Sequence, residues 1–286
     1  NRGFDVEATG VVWASPSWQW QVGASVGHYK NEVTALPDGQ QYMDTEILGA
    51  TVRTEIGRPA NLFYGYKTKG VFATSAEAQA AGLYVRDANG VDQTAFEAGD
   101  VHFVDLDGDH FVTEADRTVI GDPNPDIYGN IFTTVQYRRF RLDVRFNYSL
   151  GNDIYNFMRQ QLESGSRFMN QTTALARRWQ VEGQQTDIPR LSFQDPMGNS
   201  RFSDRWIEDG SYLRLKTVTL SYDLPISSTF LQGLQFWVQA NNVFTLSRYL
   251  GTDPEGAALF AVLGQGIDAG SVPQSRNFMV GIKISL

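Results

Sequence analysis

The chain has 286 residues, enough for one large domain or two ordinary ones, with 13% aromatic residues, a net charge of −8 and no cysteine. The acidic balance excludes a phosphate-tracking nucleic-acid binder, which needs a basic stripe, and the lack of cysteine removes thiol nucleophiles, disulfides and thiolate metal sites together. No run approaches the ~18 consecutive apolar residues of a membrane helix, which leaves open a β-barrel, whose alternating strands escape hydropathy averages.

The first residue is Asn1, and no basic-then-apolar leader precedes it, which reads as a mature, processed or partial chain. Period-2 alternation then dominates. In "GFDVEATGVVW", Phe4, Val6, Ala8 and Val12 share one face, and Asp5, Glu7 and Thr9 the other. After the turn Ser15-Pro16-Ser17, "WQWQVGASVGHY" sets Trp18, Trp20, Val22, Ala24 and Val26 against Gln19, Gln21, Gly23, Ser25 and Gly27. The pattern returns in "IYGNIFTTVQY", in "FRLDVRFNY", in "LQFWVQANNVF" and in the closing "NFMVGIKISL". In "SYLRLKTVTLSYDL" the apolar face switches midway, which predicts a β-bulge.

Many of these segments are about ten residues long, against a globular mode of ~5–6, and ten is what a tilted strand needs to cross a membrane. Connections come in two sizes. Those at 15–17, around Arg138-Arg139 and from Pro225 to Gly233 are short, whereas 73–126, 150–210 and 246–274 are long. Short turns on one side and long loops on the other suit a barrel. A soluble β-sandwich alternates too, and alternation alone does not separate the two. Strand length, loop asymmetry and aromatics near strand ends (Trp13, Trp18, Trp20, Tyr137, Tyr148, Tyr212 and Tyr222) favour the barrel. One stretch reads as helical: Ile154, Phe157, Met158 and Leu162 sit at helical spacing, and Leu175 with Trp179 repeat the step.

Charge concentrates in "DLDGDHFVTEAD", 105–116. Asp105, Asp107 and Asp109 occupy positions 1, 3 and 5 of a 12-residue calcium loop, with the Phe111 carbonyl at 7, Thr113 at 9 and Asp116 at 12. His110 stands where the sharp turn prefers glycine, although histidine is tolerated at positive φ. Asp116 replaces the longer bidentate glutamate, so both departures predict weak, millimolar binding. The alternative is a solvated Asp/Gly turn without an ion; the cost of leaving four close carboxylates unneutralised favours calcium. Other motifs dissolve in context. "GASVG" fits the hydrolase elbow, but Ser25 lies mid-strand. "GQGIDA" opens no helix of a βαβ unit. His28, His102 and His110 form no metal-ligand spacing, and no carboxylate pair or triad argues for an enzyme. Arg177 to Trp179 could contact a ligand or pack a loop.

Taken together, "NRGFDVEA", "RPANLFYGYKTKGVF", "GDVHFVDLDGDHFVTEADRTVIGDPNPD", "DRWIEDGSYLRLKTVTLSYDLP", "NNVFTLSRYLGTDPE" and "PQSRNFMVGIKISL" resemble the C-terminal barrel region of SusC/RagA-type TonB-dependent outer-membrane transporters, in order and spacing over nearly the whole chain. The resemblance implies a 22-stranded barrel plugged by an N-terminal domain, with a SusD-like surface lipoprotein as lid. It also implies energy delivered through TonB, and oligosaccharide or peptide substrates. Leu286 departs from the terminal Phe common in such barrels.

The fold class expected is therefore all-β: about nine antiparallel strands, the C-terminal part of a large transmembrane barrel in the Gram-negative outer membrane. Its long extracellular loops include one that is partly helical. Across 1–286 the plug and first barrel strands would be absent, 73–126 would carry the calcium-like motif and 150–210 the helical segment. The expected partners are outer-membrane lipid, the remaining plug and barrel, the lipoprotein lid, TonB and an oligomeric ligand, with no nucleic acid. Asp5, Glu7, Gln19, Gln21, Arg141 and Arg145 are candidates to face the lumen. The rival is a soluble, calcium-stabilised β-sandwich that binds glycans.

Overall fold

The computed structural model describes residues 1–86, 90, 93–226, 230–256 and 261–286. Seven long strands form one antiparallel sheet in chain order: β1 (Arg2–Ala14), β2 (Trp18–Lys30), β3 (Ile127–Tyr137), β4 (Phe140–Leu150), β5 (Tyr212–Leu224), β6 (Gly233–Ser247) and β7 (Asn277–Ser285). Each lies within one residue or a few of an alternating stretch. Among the described residues this sheet has seven strands rather than about nine. Tyr42–Ile47, Ala50–Glu55, Leu62–Tyr66 and Arg117–Gly121 pair with one another as a separate four-stranded sheet, in which Ala50, Val52, Leu62, Phe63 and Tyr66 are buried.

Register makes each face continuous. Val22, Thr133, Val144, Val218, Ala240 and Phe278 stand opposite one another across six strands, and Trp20, Val135, Leu142, Leu220, Val238 and Val280 form the next row. Because successive side chains alternate, every such row is largely apolar and every intervening row largely polar. The face switch in β5 is a bulge between Leu215 and Thr217, which restores Leu213 and Leu215 to the apolar side. Thr133, a polar residue in the apolar face, is satisfied there: it accepts from Trp20 Nε1 at 2.8 Å and donates to the Gln21 carbonyl at 3.2 Å.

Burial is inverted relative to a water-soluble sheet. Among the described residues, Leu215 is the only buried apolar side chain in the seven strands, while mid-strand Ile131 and Val238 are 47% and 49% exposed. The buried apolar residues lie in the connections. The short ones are 15–17, 138–139 and 225–232; the long ones are 31–126, 151–211 and 248–276. The first long connection thus starts 42 residues before the expected 73.

The three long connections fold together. One core joins Tyr66, Phe72, Leu83, Phe96, Val101, Phe103 and Val112 of the first to Met197 of the second. The other joins Ala50, Val52 and Phe63 to Tyr155, Phe202 and Trp206 of the second and Ile267 of the third. The helical reading holds for α2 (Phe157–Glu163), after an equally short α1 (Ser75–Ala81) in the first loop. Ile154, however, sits in a strand, Asp153–Asn156, clamped between Ile207–Asp209 and Ile267–Asp268. Its neighbours across the chain, invisible to local periodicity, decide this.

Polar ties complete the cap. Fully buried Asp100 accepts from Arg190 Nε and Nη2 and from Asn199 Nδ2, each at 2.9 Å. Arg214 of β5, itself buried, donates to Thr245 of the neighbouring β6 at 2.9 Å and reaches into the third loop, donating to Asp253 and to Glu255 at 2.6 Å. Lys216 adds bonds to Glu255 at 3.1 Å and Gln274 at 2.9 Å. Desolvation pushes the Asp253 carboxyl up, but the N–H groups of Gln274 and Glu255 and the Arg214 guanidinium prevail and hold it below its ordinary value.

Three outcomes follow. Trp206→Ala removes the largest fully buried side chain and is expected to cost the cap about 3–5 kcal/mol, read as faster hydrogen exchange in 200–207 while the sheet stays protected. Arg214→Met leaves Asp253 without its cation, while Glu255 keeps Lys216, an expected loss of about 3–5 kcal/mol, read as accelerated proteolysis of 248–276. In the unsubstituted protein the Asp253 contribution is complete above its ordinary 3.8 and fades as pH falls through its lowered pKa. Loop exchange should therefore accelerate only in acid below that value.

Candidate functional site

The acidic loop adopts the turn its spacing suggests. One oxygen each of Asp105, Asp107 and Asp109 can lie within 4.8 Å of one another. The Asp105 carboxylate accepts the N–H of Gly108 at 2.7 Å and of His110 at 3.0 Å, while Asp107 accepts from Asp109 at 3.1 Å and Asp109 from Phe111 at 2.7 Å. These bonds curl alternate residues around a common point. His110 takes φ +66° and Gly108 φ +79°, so His110 does make the left-handed turn. The loop is anchored behind this point, where Tyr84 donates to the His110 carbonyl at 2.9 Å and accepts from Val112 at 3.0 Å.

Asp116 is placed differently. It is fully buried, and its two oxygens accept from Leu106 at 2.7 Å and Thr113 at 2.8 Å. It closes the loop by holding backbone and does not join the aspartate trio; Thr113 Oγ1 is itself engaged by the Ala115 N–H at 3.2 Å. Electrostatics separate the trio. Desolvation raises Asp105, but the Gly108 and His110 N–H groups overcome it, so this carboxyl falls below its ordinary value. For Asp107 the Asp109 N–H pulls downward, yet desolvation and the charges of Asp109, Asp116 and Asp105 leave it raised. A cation at that point would relieve this repulsion.

Asp105 and His110 also line a polar cleft of about 510 Å³ with Lys69, Glu77 and His102. His102 stacks on Phe72 at 4.3 Å, and burial with the Lys69 charge lowers its pKa against the pull of Glu77. His28 is elsewhere, bonded through Nδ1 to the Asp126 carbonyl at 2.6 Å. Ser25 accepts from Asn130 Nδ2 at 2.7 Å in mid-strand, and Gly264–Ala269 runs from a 3₁₀ turn into a short strand. Trp179 donates to the Ala73 carbonyl at 3.0 Å and lies against Gly99, a packing role.

The second surface is the polar face of the sheet. Asp5, Glu7, Gln19, Gln21, Arg141 and Arg145 all occupy its rows. Gln21, Thr134, Asp143, Thr219 and Gln239 cross five strands in one row. Asp143 accepts both forks of Arg141 at 2.8 and 2.9 Å and the Thr134 hydroxyl at 2.6 Å. Gln239 and Thr217 both donate to Asn241 Oδ1, at 2.9 and 3.2 Å. Alternation already places Asp143, Gln239 and Asn241 on this face, but only register puts them beside one another. Three aromatic rings also point here, each over a cross-strand glycine: Tyr128 on Gly27, Phe132 on Gly23 and Trp237 on Gly281. A Cβ at Gly23 would come within 2.2 Å of the Phe132 ring, so glycine makes that room.

No protein-family model matches the chain. Over 99% of its length it is 29% identical to TonB-dependent receptor P3 of Formosa agariphila, and over its full length 27% identical to TonB-dependent receptor P26 of the same organism. It spans 28% and 29% of these relatives, less than a third. Its fold superposes on a chain of the RagAB peptide transporter with a TM-score of 0.76 at 25% identity, covering 99% of this chain and 29% of that one. In sequence and in fold, along its whole length, the chain matches a barrel segment of the SusC/RagA-type TonB-dependent receptors.

Proposed function

We propose that this chain forms barrel wall, lumen lining and outer loops of a TonB-dependent importer that carries oligomeric nutrients, oligosaccharides or peptides, across the outer membrane of a Gram-negative cell. The observation that carries the reading is the pair of faces. One is apolar across all seven strands and exposed; the other is polar and internally hydrogen-bonded. Lipid accepts the first because every inner backbone group is paired within the ladder, and a water-filled lumen accepts the second. An aromatic row at the short-turn end, Trp18, Tyr137, Phe140, Tyr222 and Phe236, sits where a membrane interface places such rings. A β-sandwich would instead cover its apolar face with a second sheet.

In this reading the open edges of β1 and β7 continue into further strands around a plug, and TonB acts on that plug. The loop cap stands outside the cell, where a SusD-like lipoprotein closes over it. The acidic loop holds a structural Ca²⁺ through Asp105, Asp107, Asp109, the Phe111 carbonyl and Thr113, while Asp116 secures the loop from behind. The ion orders the first long loop and takes no part in chemistry.

Three measurements test this. Val144→Arg, at mid-height on the apolar face, is expected to cost about 2–4 kcal/mol and to abolish the heat-modifiable folded band of the full-length product. Gln21→Arg, on the polar face, should assemble normally; equal tolerance of both would favour the sandwich. Deleting the gene should stop growth on one class of oligomer while leaving growth on its monomers. Calorimetry should give calcium binding with a Kd on the order of millimolar, absent in Asp105→Asn/Asp107→Asn; no heat in the unsubstituted protein removes the ion from the proposal.

A further inference from the structure

The apolar face is not uniform. Where β4, β5, β6 and β7 run side by side it carries a hollow of about 490 Å³, lined by Phe140, Leu220, Tyr222, Phe236, Val238 and Ile282 among others. Phe140 pairs with Tyr222, Tyr222 with Phe236 and Phe236 with Ile282, so the hollow opens at the aromatic row nearest the short turns. The Phe140 and Tyr222 rings stand 4.6 Å apart at that rim.

Two cations immediately precede the rim residue Phe140 in the chain. Arg138 and Arg139 make the two-residue turn that leads into Phe140. The Arg139 carbonyl accepts the Asp223 N–H at 2.9 Å, which pins the turn beside the residue that follows Tyr222. Arg138 holds φ +52°, an unfavoured value for arginine, and its guanidinium lies 5.4 Å from the Tyr137 ring, which packs on Trp18 at 4.4 Å. Both arginines are exposed, and among the described residues neither guanidinium has a carboxylate partner. Asp223 belongs to the polar face, where it accepts from Gln235 at 2.8 Å.

We propose that this is a seat for one glycerophospholipid of net negative headgroup charge, with an acyl chain in the hollow and the phosphate on Arg138 and Arg139. A planar guanidinium matches a phosphate with two parallel donors, and the girdle rings set the depth at which chain gives way to headgroup. A flat apolar wall would take any acyl chain equally. A hollow with paired charges at its mouth selects by headgroup, because each interfacial cation adds its own attraction for an anionic lipid. The inference rests on the barrel reading, which puts the short turns at the leaflet built of glycerophospholipid.

The test uses the full-length gene product, extracted in mild detergent and offered equal phosphatidylglycerol and phosphatidylcholine, with bound lipid counted by native mass spectrometry. Phosphatidylglycerol is expected to be retained on the order of tenfold better. Arg138→Gln/Arg139→Gln should lose that preference, Arg138→Lys/Arg139→Lys should keep most of it, and Val238→Trp, which fills the hollow, should reduce retention of both lipids. Equal retention of the two lipids by the unsubstituted protein, or an unchanged preference in the glutamine variant, overturns the proposal. The heat-modifiable band is recorded for every sample. Its absence from the unsubstituted protein means that the barrel reading has failed, whereas its presence with no lipid preference means that only the lipid seat has.

Discussion

The hydrogen-bonded register that links β1 to β7, shifted only between Val11 and Trp13 and at the β5 bulge, is the constraint on which the rest of the structure depends. A one-residue slip at any pairing would carry that strand's apolar residues to the polar face and its polar residues outward. The chain protects the register where it is most at risk. The bulge in β5 absorbs the extra residue at Lys216, so that Leu213 and Leu215 stay in phase with Val218 and Leu220. Trp20 and Thr133 bind each other across β2 and β3, and glycines at 23, 27 and 281 give cross-strand rings a place to lie.

Once the sheet gives its apolar face to the outside, it has little left to bury, and the burial that stabilises the chain in water moves to the long connections. That is why Trp206, Tyr155 and Phe63 are fully buried although each lies between barrel strands in sequence. The cap draws on all three long connections, and its polar ties cross between them, as at Asp100 with Arg190 and Asn199. The third loop is additionally held to the wall by Arg214 and Lys216. Buried ion pairs of this kind contribute modestly to net stability but penalise any arrangement that separates them. They therefore fix where the loop sits more than how strongly the fold holds.

The acidic loop shows the same division between local chemistry and context. Its aspartates at 105, 107 and 109 converge because short side chains bond to backbone N–H groups two to five residues ahead, which is a local matter. Asp116 looks in sequence like one more ligand. The fold instead buries it and spends both oxygens on backbone donors. Nothing in the spacing distinguishes a twelfth-position ligand from a capping carboxylate; burial does.

Alternation alone determined the faces of the seven strands apart from the end of β1, where a register shift after Val11 sets Trp13 opposite Trp20; it also determined the bulge in β5, the short-turn and long-loop asymmetry and the polar identity of Asp5, Glu7, Gln21 and Arg145, because side-chain direction in a strand follows from parity. It did not fix the strand count or the use of the long connections. The stretches at 42–47, 50–55 and 62–66 have strand-forming patterns, and Ile154 a helix-like one. The former pair with one another and with the distant Arg117–Gly121 in a separate sheet, and partners distant in sequence drew the latter into a three-stranded one. The Arg214 latch, the inter-loop cores and the hollow beside Arg138 and Arg139 were likewise decided only by the tertiary structure. Each joins side chains brought together by register and loop packing, and the free energy of such contacts depends on distances that a linear pattern does not contain.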